Sequence, residues 1–245
     1  MSALAWRREH LSQVDSTNRA LLERARLGAS EGLVLWASFQ SQGRGRLGRA
    51  WLAPPDSALL CSILLRPALE PGEMQWAVIA VALAARAALA GLGAECSLKW
   101  PNDLVVGTLK LGGVLAESVP GVPGAVVVGL GLNLTSHPPE LAATDVATLI
   151  ASSPPGPDAL LDTLLEQLEP RRALLASPAG RARLLHEYRA GLATIGQEVS
   201  VQQREETWHG QAVDVDDAGC LLVQTGQGVR RVLAGDVVHL RRSGS

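Results

Sequence analysis

Three arginines separated by glycines stand out in the stretch GRGRLGRAW, residues 43–51. Arg44, Arg46 and Arg49 lie within six residues of a chain whose formal net charge is only −2. Guanidinium groups form strong, often bidentate, hydrogen bonds with phosphates and carboxylates, and glycines let a backbone approach a ligand closely. The stretch therefore predicts an anion-binding loop.

The glycines of this loop also match the spacing G-x-G-x-x-G of a dinucleotide-binding turn, through Gly43, Gly45 and Gly48. Such a turn requires a strand before it, a helix immediately after it and an acidic residue about 20 positions further on. A strand and the acid Glu70 are present. However, residues 51–55 include two prolines, which remove backbone donors and prevent a helix. We therefore reject the Rossmann interpretation.

Two other interpretations of the arginine loop are contact with nucleic acid and a solvated, flexible loop without a ligand. Nucleic-acid sites usually include further basic or aromatic residues, whereas leucine and alanine flank this loop. The net charge of −2 also provides no global field that attracts nucleic acid or an acidic membrane. We therefore expect neither nucleic acid nor a membrane as a partner.

A second charged group lies in the stretches KWPNDL and KLGGVLAE, which begin at Lys99 and Lys110. A Pro-Asn-Asp turn is predicted between two strands, which places Lys99, Lys110 and Asp103 at the ends of adjacent strands. Singly, a turn aspartate and an edge-strand lysine are ordinary features. Together with the arginine loop, they supply cations for a multiply charged anion and a carboxylate for Mg²⁺. The combination predicts chemistry at a nucleotide phosphate.

The hydrophobic spacing predicts which elements carry these residues. A helix begins among the capping residues Asp15-Ser16-Thr17-Asn18 and ends at Gly28. Further helices are predicted at residues 74–90, at 160–168 with Pro170 as its end, and at 178–188 with Gly191 closing it. Strands are predicted at residues 32–40, 59–65, 96–99, 110–117 and 126–130. The arginine loop therefore lies between two buried strands.

The last part of the chain has a different pattern, with short alternating strands separated by turn residues. These strands are predicted at residues 198–202, 211–215, 221–225, 229–233 and 236–240. Five short strands in so few residues indicate a small barrel. We predict an α+β fold with a larger domain at residues 1–191 and a small β domain at residues 192–245.

The cysteines and the N-terminal sequence indicate in which cellular compartment the protein is expected. Cys61, Cys96 and Cys220 are odd in number and lack C-x-x-C spacing, which is typical of small buried residues in a reducing compartment. The N-terminal stretch MSALAWRREH has no apolar segment of a secretory signal, and no apolar run approaches the ~20 residues that span a bilayer. We expect a soluble, cytoplasmic protein.

Taken together, the motifs resemble those of the biotin–protein ligase family. The matching stretches, in the family's order and spacing, are DSTN (15–18), QSQGRGRLGRAW (40–51), KWPNDL (99–104), KLGGVLAE (110–117) and GLGLN (129–133). The pair formed by the arginine loop and KWPND is highly specific, whereas Ser-Thr-Asn alone is weak. The resemblance covers nearly the whole chain. It implies a class II synthetase-like catalytic domain, with a mixed sheet and flanking helices, followed by an SH3-like β-barrel.

The resemblance implies a two-step reaction. The family joins biotin to ATP, giving biotinyl-5′-AMP and pyrophosphate, and then transfers the biotinyl group to one lysine of a biotin carboxyl carrier protein. Cations must screen the repulsion between the biotin carboxylate and the α-phosphate and stabilise the leaving pyrophosphate. Because the mixed anhydride must be kept from water, we expect residues 43–48 to become ordered over bound ligands.

The resemblance also implies roles for individual residues. Those expected to act in catalysis are Arg46, Lys110 and Asp103. Those expected to contact biotin are Ser16, Thr17, Asn18, Gln40, Arg44, Gly45, Arg46 and Lys110. Those on the ATP side are Arg46, Arg49, Trp51, Lys99, Asn102, Asp103, Lys110 and Asn133. Asp103 either coordinates the Mg²⁺ that ATP requires or takes a proton from the acceptor lysine, and no tightly bound metal is expected.

The chain departs from the family pattern in two respects. Some bacterial members carry an N-terminal winged-helix domain and repress biotin genes, whereas only 14 residues precede Asp15 here, so no repressor function is expected. Leu47 occupies a loop position where the family often has arginine. The strand at residues 110–117 either pairs across a homodimer, as in some relatives, or remains a monomer's edge. The natural carrier is an acetyl-CoA carboxylase or a related carboxylase subunit.

Three alternative functions remain to be separated. A lipoate–protein ligase or an octanoyltransferase would share the catalytic fold, but the full arginine loop and KWPND argue against both. A non-catalytic biotin- or nucleotide-binding protein is opposed by the intact Lys110 and Asp103. An RNA-binding protein is the most distant alternative.

Overall fold

The computed structural model describes residues 4–67, 69–203, 206–233 and 236–239. The strands of the larger part are β1 (Arg7–Leu11), β2 (Leu33–Ala37), β3 (Ala58–Leu65), β4 (Ser97–Lys99), β5 (Asp103–Val106), β6 (Leu109–Ser118) and β7 (Val126–Asn133). The helices are α1 (Thr17–Arg26), α2 (Gln75–Ala90), α3 (Val146–Leu149), α4 (Pro157–Leu174) and α5 (Pro178–Gly191). The final strands are β8 (Glu198–Gln203), β9 (Glu206–Val215), β10 (Leu221–Thr225), β11 (Gly228–Val232) and β12 (Asp236–His239).

The first seven strands form one mixed sheet with the order β1-β2-β3-β7-β6-β5-β4. Only β1 and β2 pair in parallel, and all other neighbours are antiparallel. Side chains alternate between two buried faces. Leu33, Leu35 and Leu64 pack under α1, whereas Val34 and Ile63 join the core formed with α2, α4 and α5. Helices on both faces explain why β3 is apolar almost throughout.

The structure contains two strands and one helix that the sequence interpretation missed. The strand β5 lies between β4 and β6, so the strands that carry Lys99 and Lys110 are not adjacent as predicted. The reason is that the turn after Lys99 is tight and Asp103 already starts β5, which then reverses at Gly107 with a φ of 58°. The missed elements β1 and α3 are short.

The predicted end of α4 also needs correction, whereas α1 begins within the predicted residues, at Thr17. Pro170 lies inside α4 instead of ending it. The helix continues because its last turn is anchored by Arg172, a buried side chain that forms ion pairs with Glu169 and Glu31. At α1, Ser16 is the N-cap residue but its side chain caps no backbone N–H. The polar residues there are buried for another reason, described below.

The C-terminal strands form a separate antiparallel sheet with the order β11-β10-β9-β8-β12. This confirms the α+β fold with a mixed sheet, flanking helices and a small β domain, although Leu240, the predicted end of the last strand, lies outside the described residues. The two parts share one core, because Val199, Trp208 and Leu221 belong to the same buried cluster as α2 and α4. None of the described helices is long and apolar enough to cross a membrane.

Candidate active site

A cavity of about 440 Å³ opens on the α1 side of the large sheet. Every residue predicted from the sequence to contact biotin or ATP, or to act in catalysis, lines this cavity. These residues are Ser16, Thr17, Asn18, Gln40, Arg44, Gly45, Arg46, Arg49, Trp51, Lys99, Asn102, Asp103, Lys110 and Asn133. Motifs that are more than one hundred residues apart in the sequence therefore meet in one place.

Glycines on β6 and β7 form the floor of the cavity. Gly131 pairs with Gly113, and Gly129 is the next residue of β7 on the same face. A methyl group at Gly131 would overlap the indole of Trp51, and one at Gly129 would overlap the side-chain amide of Asn18. A Cβ at Gly113 would lie 3.2 Å from Oδ1 of Asp103. These glycines are needed because functional side chains lie directly on the strand backbones.

The start of α1 supplies a buried polar cluster at one end of the cavity. The backbone N–H and the hydroxyl of Thr17 lie 2.7 Å and 3.0 Å from Oε1 of Gln40. The Ser62 hydroxyl lies 2.7 Å from Oγ1 of Thr17 and 2.6 Å from Oδ1 of Asn18. The Asn18 amide donates to Oε2 of Glu117 at 2.8 Å. The cluster joins α1 to three strands or loops through hydrogen bonds.

Ser62 and Glu117 are members of this cluster that the sequence interpretation did not assign to the site. Ser62 is fully buried within the otherwise apolar strand ALLCSILL. A hydroxyl in such a run was the available signal, because buried polar groups need hydrogen-bond partners. Glu117 ends the KLGGVLAE motif, and only the pairing of the strands shows that it reaches both Asn18 and Arg44.

The arginine loop is closed on itself by backbone hydrogen bonds. Trp51 N donates to Gly43 O at 2.9 Å, and Gly45 N donates to Arg49 O at 2.7 Å. At the tip, residues Arg46–Gly48 form a 3₁₀ turn in which Leu47 has a φ of 55° and is 68% exposed. This left-handed conformation is unfavourable for a residue other than glycine.

Two arginine side chains are among the contacts that connect the arginine loop to the rest of the site. Arg44 forms an ion pair with Oε1 of Glu117 at 3.0 Å. Arg46 donates a hydrogen bond to Oδ1 of Asn102 at 3.3 Å. The loop therefore brings its cations over the cavity and is held at β6 and at the turn before β5. No helix follows the loop, which agrees with the rejection of the Rossmann interpretation.

Lys110 and Asp103 face each other at the other end of the cavity. The Nζ of Lys110 lies 2.7 Å from Oδ1 of Asp103 and 5.5 Å from the centroid of the Trp51 ring. The backbone of Lys110 pairs with Ala142 and Thr144, so a second chain segment supports it. The ammonium group is thereby directed by a carboxylate and an aromatic face.

Two amides that the sequence analysis expects to contact ATP are partly engaged in supporting the backbone. Asn102 donates to Val114 O at 2.7 Å, and Asn133 donates to Thr144 O at 3.0 Å. The oxygen of Asn102 already accepts from Arg46. By contrast, the indole N–H of Trp51 is buried and meets no acceptor among the described residues.

The turn of the KWPND motif is held by α5, by Thr194 just after it and by the C-terminal part of the chain. The Trp100 backbone N–H donates to Thr194, and its indole N–H donates to Gly219 O at 3.0 Å. Tyr188 donates its hydroxyl to Pro101 O at 3.2 Å, and burial raises the pKa of this phenol. The Trp100–Pro101 peptide bond is cis. The small β domain therefore contacts the catalytic motif directly.

The cysteines and the carboxylates bear on whether the site could use a covalent nucleophile or hold a metal ion. Cys61, Cys96 and Cys220 are buried and free, which confirms the prediction from their spacing. Burial raises the pKa of the Cys61 thiol to about 12 and that of Cys96 to about 11. No group of three metal-ligating side chains occurs within the described residues. Of the described residues that line the cavity, Asp103 is the only carboxylate.

Comparisons with known proteins agree with this geometry. The Biotin/lipoate A/B protein ligase family matches residues 11–133, and the Biotin protein ligase C terminal domain matches residues 194–240. The chain is 37% identical to the biotin–[acetyl-CoA-carboxylase] ligase of Mycobacterium tuberculosis, over 96% of this chain and 90% of that protein. It is 32% identical to the enzyme of the same name from Paracoccus denitrificans, over 93% and 98% of the two chains.

A solved structure shows the same architecture. The biotin protein ligase from Aquifex aeolicus, determined in complex with biotin and ATP, superposes with a TM-score of 0.83. It is 27% identical in sequence, and the match covers 96% of this chain and 99% of that one.

Proposed function

The chain belongs to the biotin protein ligases of the biotin/lipoate A/B protein ligase family, and from this premise we propose that it activates biotin as biotinyl-5′-AMP. The biotinyl group then passes to a lysine of a biotin carboxyl carrier protein, the partner suggested by the names of its relatives. One observation carries the proposal: the residues expected for biotin and for ATP line a single cavity.

The cations of the cavity fit the first step. The biotin carboxylate attacks the α-phosphate, and both groups are anions, so their approach needs positive charge. Arg44, Arg46, Arg49 and Lys110 line the cavity and supply it. Because Lys110 is held by Asp103 and faces the ring of Trp51, its charge is oriented before substrates arrive. Preorganised charge of this kind lowers the barrier without further rearrangement.

The buried polar cluster suits the head of biotin. The ureido group offers two N–H donors and one carbonyl acceptor, which hydroxyl and amide side chains can satisfy. Ser16, Thr17, Asn18 and Gln40 supply such groups beside the glycine floor, where Leu115 and Leu130 add apolar lining. A mostly apolar pocket with a few placed polar groups is typical of a small-molecule site.

The opposite end of the cavity is proposed to bind ATP, through Lys99, Asn102, Asn133 and the residues around Trp51. The buried indole N–H of Trp51 would gain an acceptor from the nucleotide, which removes the cost of an unsatisfied donor. Mg²⁺ bound with ATP would neutralise phosphate charge, and it usually takes few protein ligands. The single lining carboxylate, Asp103, fits that pattern, and its pair with Lys110 makes orientation of this lysine its first role.

Pyrophosphate exchange into ATP tests the proposed function. Biotin, lipoate and octanoate are offered separately to the purified protein, and label appears in ATP only where the acid is adenylated. We expect exchange with biotin. Exchange with lipoate and not with biotin would favour the related lipoate-ligase activity instead. Transfer is tested separately by following the mass of an isolated carrier domain.

The remaining proposals concern the setting of the enzyme. The boundary near residue 191 is placed where α5 ends, before the second sheet begins at Glu198. A cytoplasmic location is supported by three buried free cysteines, as expected in a reducing compartment. No nucleic-acid partner is proposed, and the choice between a monomer and a homodimer is left to sedimentation measurements.

A further inference from the structure

The carboxylate of Glu117 contacts two different parts of the site at once. Its Oε2 accepts a hydrogen bond of 2.8 Å from the Asn18 amide, and its Oε1 lies 3.0 Å from Arg44 of the arginine loop. The Glu117 side chain is only 21% exposed, whereas that of Arg44 is 51% exposed. Glu117 therefore lies beneath the loop and beside the buried polar cluster, with one oxygen used on each side.

The contact with Glu117 determines which way the Asn18 amide points. A carboxylate and a backbone carbonyl only accept hydrogen bonds. Because Oε2 of Glu117 and the carbonyl of Leu115 both lie near the same amide atom, at 2.8 Å and 3.4 Å, that atom must be the NH₂ group. The oxygen of Asn18 therefore faces Ser62. Reversal of the amide would place its oxygen against a carboxylate.

This direction propagates through the hydroxyl groups. With the Asn18 oxygen as an acceptor, Ser62 must donate its single hydroxyl proton to Asn18 across the 2.6 Å contact. Ser62 Oγ also lies 2.7 Å from Oγ1 of Thr17, and the Thr17 hydroxyl lies 3.0 Å from Oε1 of Gln40, which accepts the Thr17 backbone N–H as well. A hydroxyl oxygen has two lone pairs, so Thr17 keeps at least one that can accept a hydrogen bond from a ligand N–H.

We infer that Glu117 is a positioning residue that sets the hydrogen-bond direction of the biotin pocket and ties Arg44 of the loop to that pocket. This inference rests on the proposed function for the nature of the ligand. Glu117 does not itself line the cavity, and it acts through Asn18 and Arg44, which do. Recognition of the biotin head and closure of the loop thus depend on the same carboxylate.

The test uses Glu117→Gln, which keeps the shape of the side chain but removes its charge and presents a donor that allows the Asn18 amide to reverse. In pyrophosphate exchange, the KM for biotin is expected to rise about tenfold or more, the size expected when a charged hydrogen-bond partner is lost. The KM for ATP and the thermal unfolding midpoint are expected to stay close to those of the unaltered protein. Glu117→Asp, which retains the charge but is shorter, should recover part of the biotin affinity.

A matched control is Glu206→Gln, which removes an exposed ion pair with Arg230 on the C-terminal sheet. It should leave the KM for biotin unchanged. An unchanged biotin KM in Glu117→Gln would overturn the inference. A parallel rise of both KM values together with a lower unfolding midpoint would also overturn it, because it would show a structural role alone.

Trypsin cleavage decides the part of the inference that does not depend on biotin. The loop contains three arginines, and loss of the Arg44–Glu117 pair should increase the rate of cleavage there several-fold in the absence of ligands. Equal cleavage rates in Glu117→Gln and the unaltered protein would refute the anchoring role. If the unaltered protein exchanges no pyrophosphate with biotin, the proposed function fails while the cleavage rates still decide this anchoring role.

Discussion

The Nζ of Lys110 lies 2.7 Å from Oδ1 of Asp103, across the paired strands β5 and β6. Gly113 is the residue directly opposite Asp103, and the absence of a side chain there leaves room for both charged groups. The two residues therefore act as one unit, in which each fixes the position of the other.

Lys110→Ala is expected to lower biotin-dependent pyrophosphate exchange by about 10²–10³-fold, which is typical of losing one preorganised charge at a reacting group. Asp103→Asn should lower it less, because the lysine stays in place but loses its ionic partner. Initial rates of label exchange at saturating biotin measure both effects. Near-normal exchange in Lys110→Ala would refute its catalytic role.

Gly131→Ala is expected to weaken ATP binding, because the added methyl group overlaps the indole of Trp51. The KM for ATP should rise, whereas the thermal unfolding midpoint should change little. Gly72→Ala is the matched control, since a Cβ at that exposed position meets nothing within 4 Å. Equal KM values for ATP in the two variants would contradict the proposed packing of Trp51 on β7.

Trp100→Phe is expected to lower the free energy of unfolding by about 0.5–1.5 kcal/mol more than Trp208→Phe, because Gly219 O loses the indole donor and keeps only the hydrogen bond from Gln75. Both changes remove the same ring volume. Trp208 is a suitable control because its buried indole N–H has no acceptor among the described residues. Urea unfolding measures the difference, and identical losses would argue against a stabilising contact at Gly219.

The stability of the protein is expected to fall on acidification, in part through Glu169. Hydrogen bonding from Arg172, aided by the backbone N–H of Leu4, lowers the pKa of Glu169 below its ordinary value of 4.5. A carboxyl whose pKa is lower in the folded state contributes stability above its unfolded pKa and loses it as the pH falls through the folded value. The contribution of Glu169 is therefore complete well above pH 4.5 and is lost progressively as the pH falls from 4.5 through the lower pKa of the folded state.

Thermal unfolding midpoints of Glu169→Gln between pH 7 and about pH 3 test this linkage. The variant should lose less stability on acidification than the unaltered protein. Glu166→Gln, on an exposed part of the same helix, should follow the unaltered protein. Parallel curves for all three proteins would contradict the prediction.

The cysteines are expected to resist alkylation in the folded protein at pH 8. Only the thiolate reacts, and burial raises the pKa of Cys61 to about 12 and that of Cys96 to about 11. Mass spectrometry after iodoacetamide treatment should show no modification of either residue, whereas treatment in guanidinium chloride should modify all three cysteines. Rapid labelling of Cys61 in the native state would contradict its burial beneath the cavity.

The sequence allowed prediction of those parts of the site whose motifs have an unusual composition. Arginines between glycines, as in residues 43–49, have few other uses, so composition alone pointed to an anion site. The roles of Ser62 and Glu117 could not be found in this way, because they depend on which strands are neighbours. Ser62 reaches Asn18 only because β3 lies beside β7 under α1.

The fold was predicted best where hydrophobic periodicity extends over several turns or a long strand, as in α2, α5 and β3. The strand β5 was missed because its four residues lie between two turns and are too short to show a period. The strand β1, with the sequence RREHL, pairs with β2 although its own residues are mostly charged. Whether such an edge segment forms a strand depends on its pairing with the neighbouring strand and not on the β-propensity of its own residues.

Leu47 makes the conformation of the arginine loop described here less favourable than it would be with glycine at the same position. A leucine with a φ of 55° costs about 1–2 kcal/mol relative to an ordinary conformation, and here nothing buries its side chain in return. A cost of that size changes the ratio of two loop conformations by about tenfold. Leu47→Gly would remove this cost and favour the turn described here, so the residue at the loop tip is a point where selection, or protein engineering, can tune the stability of the arginine loop.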